Sequence, residues 1–153
     1  MSVPDRVEIL LVEDNAADAE LTIRSLRRSG LAERLHHVRD GVEALDFLLG
    51  TGPHADRAGD PPPRVILLDI KLPRLDGIEV LRCIKSYERL RSTPVVMLTS
   101  SREETDVLHS YRLGANSYVP KPVDFDRFAQ VVRDLGLYWL GINEPPRRRG
   151  VSP

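Results

Sequence analysis

Polar side chains stand at the carboxyl ends of the chain's apolar runs. Glu13 and Asp14 follow Val7–Val12, Asp69 follows Val65–Leu68, Thr99 follows Val95–Leu98, and Lys121 lies just past Ser117–Val119. In an open parallel sheet, ligands bind outside the carboxyl ends of the strands. A carboxylate held there among backbone is costly unless something neutralises it. Three converging carboxylates, Glu13, Asp14 and Asp69, repel one another unless a divalent cation joins them. All-oxygen ligation with few carboxylates suits Mg²⁺, which keeps several waters and favours phosphate. Adding a hydroxyl and an ammonium on the same rim gives a site suited to moving a phosphoryl group. Such chemistry rests on positioning and charge neutralisation.

The elements that bring these residues together alternate in type. Val7–Val12, Leu35–Val38, Val65–Leu68, Val95–Leu98 and Ser117–Val119 read as strands, short and rich in branched side chains. Helical spacing follows each one: Ala19, Leu21, Ile23 and Leu26; Val42, Ala44, Leu45, Leu48 and Leu49; Ile78, Val80, Leu81 and Ile84; Val107, Leu108 and Tyr111; Phe125, Phe128, Val131, Val132 and Leu135. Gly30 and Gly114 stop two of these helices. Asp18, Asp40 and Asp76 read as caps or turn formers, and Ser101 with Glu104 as a capping box. The stretch from Gly50 to Pro63, with its glycines and prolines, reads as a mobile loop. Five βα units predict an α/β fold, a doubly wound parallel sheet with helices on both faces.

Composition narrows the class. A chain of 153 residues, 41% apolar and 29% charged, is most simply one soluble domain. The net charge of -1 gives no whole-chain argument for nucleic acid or for an anionic membrane, and direct binding to either is not expected. No apolar run reaches the ~20 residues of a membrane span, and the amino terminus lacks a signal-peptide layout. Cys83 is the only cysteine and falls within an apolar helical pattern, so it reads as a core residue. His36, His37, His54 and His109 show no metal-ligand spacing. A cytoplasmic protein fits these features. Residues 1–6 read as an amino-terminal arm, 7–141 as the domain and 142–153 as a Pro/Arg-rich tail that includes Arg147–Arg149.

Several segments, in this order, resemble the response-regulator receiver domains of two-component signalling. They are Leu10–Asn15, Leu67–Pro73 with Asp76-Gly77, Leu98–Ser100, and Gly114–Tyr118 with Lys121-Pro122. The resemblance implies a CheY-like, flavodoxin-like fold of (βα)5 type. It implies that Asp69 is the nucleophile, taking a phosphoryl group from a sensor histidine kinase as an acyl phosphate. Asp14, Asp69 and the backbone carbonyl of Lys71 would hold Mg²⁺, and Glu13 would act through a coordinated water. Thr99 and Lys121 would each contact a phosphoryl oxygen, and Tyr118 would be the aromatic switch that turns inward as Thr99 moves. Lys121-Pro122 would be a cis peptide aiming the lysine inward.

A narrower likeness rests on the Gly50–Pro63 stretch, Leu72–Gly77, and the ending Tyr138-Trp139-Leu140 with Asn143–Pro146. It looks like the single-domain regulators partnered with phytochrome-type kinases. The short stretch after the last helix leaves no room for an effector domain, so output would pass through protein contacts. A relay intermediate and a phosphate sink remain open as roles. A Mg²⁺-dependent phosphatase of similar fold would want a general acid two residues past the nucleophile, where Lys71 stands. A final helix from Asp124 to Leu140 would end in Leu137, Tyr138, Trp139, Leu140 and Ile142, more apolar surface than one helix side hides. Either this end folds back on the domain or it meets a partner. The reading taken is a homodimer through the face of the fourth helix, fifth strand and fifth helix, with Tyr118, Tyr138 and Trp139 at the contact.

Overall fold

The computed structural model describes residues 6–145. Strands β1 (Ile9–Val12), β2 (Leu35–Val38), β3 (Val65–Leu68), β4 (Val95–Thr99) and β5 (Ser117–Pro120) form one sheet in the order β2-β1-β3-β4-β5. All neighbours are parallel, and Val12 pairs with both Val38 and Leu68. Helices α1 (Ala16–Arg28), α2 (Gly41–Leu49), α3 (Gly77–Ser86), α4 (Glu104–Arg112) and α5 (Phe125–Leu137) connect and follow the strands.

The unbroken apolar strand sequences are explained by burial on both faces. Side chains alternate across a strand. Leu10, Val12, Ile66, Leu68, Val95 and Met97 therefore pack with α2 and α3. Ile9, Leu11, Val65, Leu67, Val96 and Leu98 pack with α1 and α5. Three aspartates cap helices as expected of turn formers or caps: Asp40 accepts from the Glu43 amide at 2.8 Å, Asp76 from Glu79 at 3.0 Å and Asp124 from Arg127 at 3.1 Å.

Several local expectations are corrected. Asn15, not Asp18, caps α1, its side chain accepting from the Asp18 amide at 2.9 Å. Ser101 and Glu104 form no capping box. Helix α4 starts at Glu104 behind Glu103, and the Ser101 hydroxyl donates to Asp106 instead. The stretch after Gly50 is not structureless: Gly52–Arg57 is a 3₁₀ turn. It is fastened to α2, with Thr51 Oγ1 donating to Asp46 at 2.8 Å and the Arg57 guanidinium lying 4.5 Å above the Phe47 ring. Phe125, assigned to the sheet-covering stripe, is 70% exposed at the first position of α5.

Trp139 is also corrected. It is only 8% exposed and packs with Leu26, Phe128 and Val132. Phe128, Val132, Leu135 and Trp139 stand at i, i+4, i+7 and i+11, a single helical stripe. A π-helical turn, Tyr138–Ile142, carries that stripe past α5, so this end folds back on its own domain. Tyr138 stays 45% exposed and meets the Trp139 ring edge-on at 5.0 Å. Asn143 is held by an Arg64 hydrogen bond to its carbonyl at 3.4 Å. The arm before Arg6 and the end of the tail, with Arg147–Arg149, lie outside the described residues.

Candidate functional site

The sheet order reverses beside β1, so β1 and β3 leave the sheet toward helices on opposite faces. Their parallel register sets the next rung: Val12 pairs with Leu68, placing Glu13 beside Asp69. The Asp69 amide donates to the Val12 carbonyl at 3.1 Å, and the Glu13 amide to Val38 at 3.0 Å. Both carboxylates are buried. Asp69 Oδ1 accepts from the Ile70 amide at 2.7 Å. Glu13 Oε2 accepts from the Asn15 amide at 3.0 Å.

Lys121 enters from the end of β5, its amide donating to the Thr99 carbonyl at 2.7 Å. Its buried ammonium spends all three N–H donors on acids: Glu13, Asp18 at 2.9 Å and Asp69 at 2.9 Å. Burial alone would lower the lysine's pKa. Hydrogen bonding and charge from Glu13, with the bonds to Asp18 and Asp69, outweigh it and hold the ammonium above its ordinary range. Burial pushes Glu13 up to about 7 against the pull of Lys121, and the charge of Asp69 adds to the rise.

The expected cis peptide before Pro122 is corrected: no cis bond occurs among the described residues. A trans bond is the lower state for X–Pro by only ~0.5–1 kcal/mol, and the long lysine stem reaches the acids without the cis turn.

Asp18 is the residue that sequence reasoning missed. It was read as a cap, yet it is the third carboxylate on the lysine, while Asp14 is exposed. Its position in the first turn of the helix that follows an acid-tipped strand was the available signal. Thr99 is fully buried at the end of β4, and its Oγ1 accepts from the Ser101 amide at 3.3 Å. Tyr118 is part-buried, its hydroxyl donating to the Ser101 carbonyl at 2.9 Å. Burial raises that phenol's pKa. Two of the four histidines depart from expectation: His36 and His54, with Glu43, bring their ligand atoms within 4.8 Å of one another.

The donor set fits a divalent cation. Three carboxylates share one ammonium, an excess of acid over base, and exposed Asp14 follows Glu13 in the chain.

Residues 9–133 match the response regulator receiver domain. The chain belongs to that family. It is a phosphoryl-accepting response regulator with the flavodoxin-like receiver fold. The chain is 44% identical over 147 residues to the probable methanogenesis regulatory protein FilR2 of Methanothrix harundinacea, spanning 95% of this chain and 92% of that one. It is 40% identical over 139 residues to response regulator Rcp1 of Synechocystis, spanning 91% and 92%. The Mn²⁺-bound structure of Rcp1 superposes with a TM-score of 0.84, covering 91% of this receiver and 98% of that chain. The phosphorylated cyanobacterial phytochrome response regulator RcpA, 39% identical, superposes at 0.85 over 93% and 99%. Receivers of this family thus hold divalent metal. Among the described residues, no helix is long and apolar enough to cross a membrane.

Proposed function

We propose that Asp69 is the phosphoacceptor and that the donor is the phosphohistidine of a phytochrome-type sensor histidine kinase. The observation that carries this reading is the buried ammonium of Lys121 held against Asp69. An Asp69 carboxylate oxygen attacks phosphorus, the P–N bond breaks, and the imidazole leaves with the electron pair. Lys121 holds the Asp69 carboxylate in place by its hydrogen bond and then pairs with a phosphoryl oxygen. Asp14, Asp69 and the backbone carbonyl of Lys71 would hold Mg²⁺, with Glu13 behind a coordinated water. When bound, the ion neutralises charge on the transferring group. The Thr99 hydroxyl leaves the Ser101 amide for a phosphoryl oxygen, and Tyr118 leaves the Ser101 carbonyl to follow it.

The phytochrome link is supported by the likeness to Rcp1 and RcpA. Output runs through protein contacts, in a homodimer whose α4–β5–α5 face includes Tyr118 and is extended by the exposed Tyr138 of the π-helical turn that follows α5. Trp139 is not part of that contact, because the domain's own core holds it.

Acetyl phosphate with Mg²⁺, read by intact mass, tests the chemistry. One phosphoryl group should appear on the parent and none on Asp69→Asn; equal labelling of both would refute the assignment. Transfer from a phytochrome-type kinase, compared with an unrelated kinase, tests the partner. Sedimentation equilibrium tests the dimer, and a monomer at about tens of micromolar, with and without an acyl-phosphate mimic, would remove it.

A further inference from the structure

The far edge of the sheet carries a second cluster of ligating side chains. His36 on edge strand β2 pairs with Leu10 of β1, whose side chain lies in the core beneath α2 and α3. The His36 ring therefore turns to that face, where it stacks on Phe47 of α2 with centroids 4.6 Å apart. Glu43 stands one helical turn before Phe47, on the same side of α2. The 3₁₀ turn brings His54 back over this surface, edge-on to His36 at 5.7 Å and to Phe47 at 5.2 Å.

One nitrogen from each imidazole and one Glu43 oxygen lie within 4.8 Å of one another. Ligand atoms about 2.0–2.2 Å from a tetrahedral ion lie about 3.4 Å apart, so small side-chain rotations close the set. A second observation points to a ligand. His36 Nε2 is buried and makes no hydrogen bond. Buried polar atoms are normally satisfied, so this one calls for a partner.

We propose that His36, Glu43 and His54 bind a borderline divalent transition-metal ion of the Zn²⁺ or Ni²⁺ class, with water completing its coordination. Two imidazoles and one carboxylate favour such ions over Mg²⁺, which takes oxygen ligands. The Asp69 site, all oxygen, has the opposite preference, so the two sites sort metals by ligand chemistry. Burial holds His36 in its neutral form at neutral pH, the form that ligates. His37 turns away, its Nε2 donating to the Glu13 carbonyl at 2.8 Å. The Arg57 guanidinium over Phe47 opposes a cation, and it lies 3.7 Å from Asp60. The Glu43 carboxylate supplies the compensating charge within the ligand set. A bound ion would clasp the 3₁₀ turn to β2 and α2, fixing residues that the sequence pattern alone leaves loose.

The test is a ZnCl₂ titration of the full chain in excess Mg²⁺, with a chromophoric chelator as competitor and imidazole ¹⁵N NMR as site readout. One equivalent should bind, with the ring nitrogens of His36 and His54 shifted and those of His109 unmoved. Glu43→Gln and His54→Gln, both partly exposed, should each weaken binding at least about tenfold. No uptake at tens of micromolar, uptake without shifts at His36 and His54, or unchanged affinity in His54→Gln would overturn the proposal.

Discussion

Replacing Lys121 with methionine removes the ammonium and keeps most of the stem. Glu13, Asp18 and Asp69 then lose their shared partner, two of them in buried surroundings. Removing one member of a buried ion pair costs about 3–5 kcal/mol, because the remaining charge stays buried. That is a large share of a typical stability of ~5–15 kcal/mol. Protonation of Glu13 offers an escape. Its folded pKa is already raised from 4.5 to about 7 by burial. Between those values the folded state holds a proton that the unfolded chain has released, so stability falls as pH rises through the window. Without Lys121 the folded value climbs further and the window widens upward. Urea unfolding without Mg²⁺ should therefore show the full deficit near pH 8 and a smaller one near pH 5.5. A deficit below about 1 kcal/mol at the higher pH, or one that is equal at both, would refute the charge argument.

Two further perturbations have definite signs. Burial, then the charges of His54, Arg57 and His37, lowers the His36 pKa from 6.5 to about 4, so the folded state stays neutral where the unfolded chain gains a proton. Stability tied to His36 is complete above about pH 6.5 and is lost as pH falls toward 4; with EDTA present, the parent should lose about 1 kcal/mol relative to His36→Gln between pH 7 and 5, the ring's partial exposure to solvent reducing the effect. Trp139→Ala should cost about 3–5 kcal/mol by urea unfolding and Tyr138→Ala under about 1, and the reverse order would contradict the burial of the indole.

The strand-end constellation was legible because parallel strands buried on both faces must read as unbroken apolar runs. A polar residue at the end of such a run marks the functional rim. Register then places Glu13 beside Asp69 without further information. Asp18 was harder to see, since an acid in a helix's first turn has an ordinary capping explanation. What it touches depends on Lys121, more than a hundred residues away. Trp139 was misread for a different reason. Its apolar neighbours were taken together, whereas the i, i+4, i+7, i+11 stripe separates it from Tyr138. The fastening of the Gly50–Pro63 stretch depends on ring contacts between His54, Phe47 and Arg57 that no local pattern announces.

The segment from Ile70 to Asp76 is gripped at both ends by glycines. A Cβ on Gly77 would strike the Asp69 carbonyl oxygen, and one on Gly41 would strike the Leu75 carbonyl oxygen. Backbone lies against backbone at both places, and between them Ile70, Leu72 and Leu75 turn into the core, so the path of the segment does not depend on the side chains it exposes at Lys71 and Pro73. The exposed Lys71 and Pro73 carry little structural duty in their side chains, whereas Arg74 holds a left-handed turn, φ 67°, and pairs with Asp40 at 3.3 Å. Substitution can run freely at positions 71 and 73 while positions 41 and 77 admit almost nothing. A lineage of such proteins can therefore diversify whom the rim addresses, residue by residue, without moving the acid at its centre.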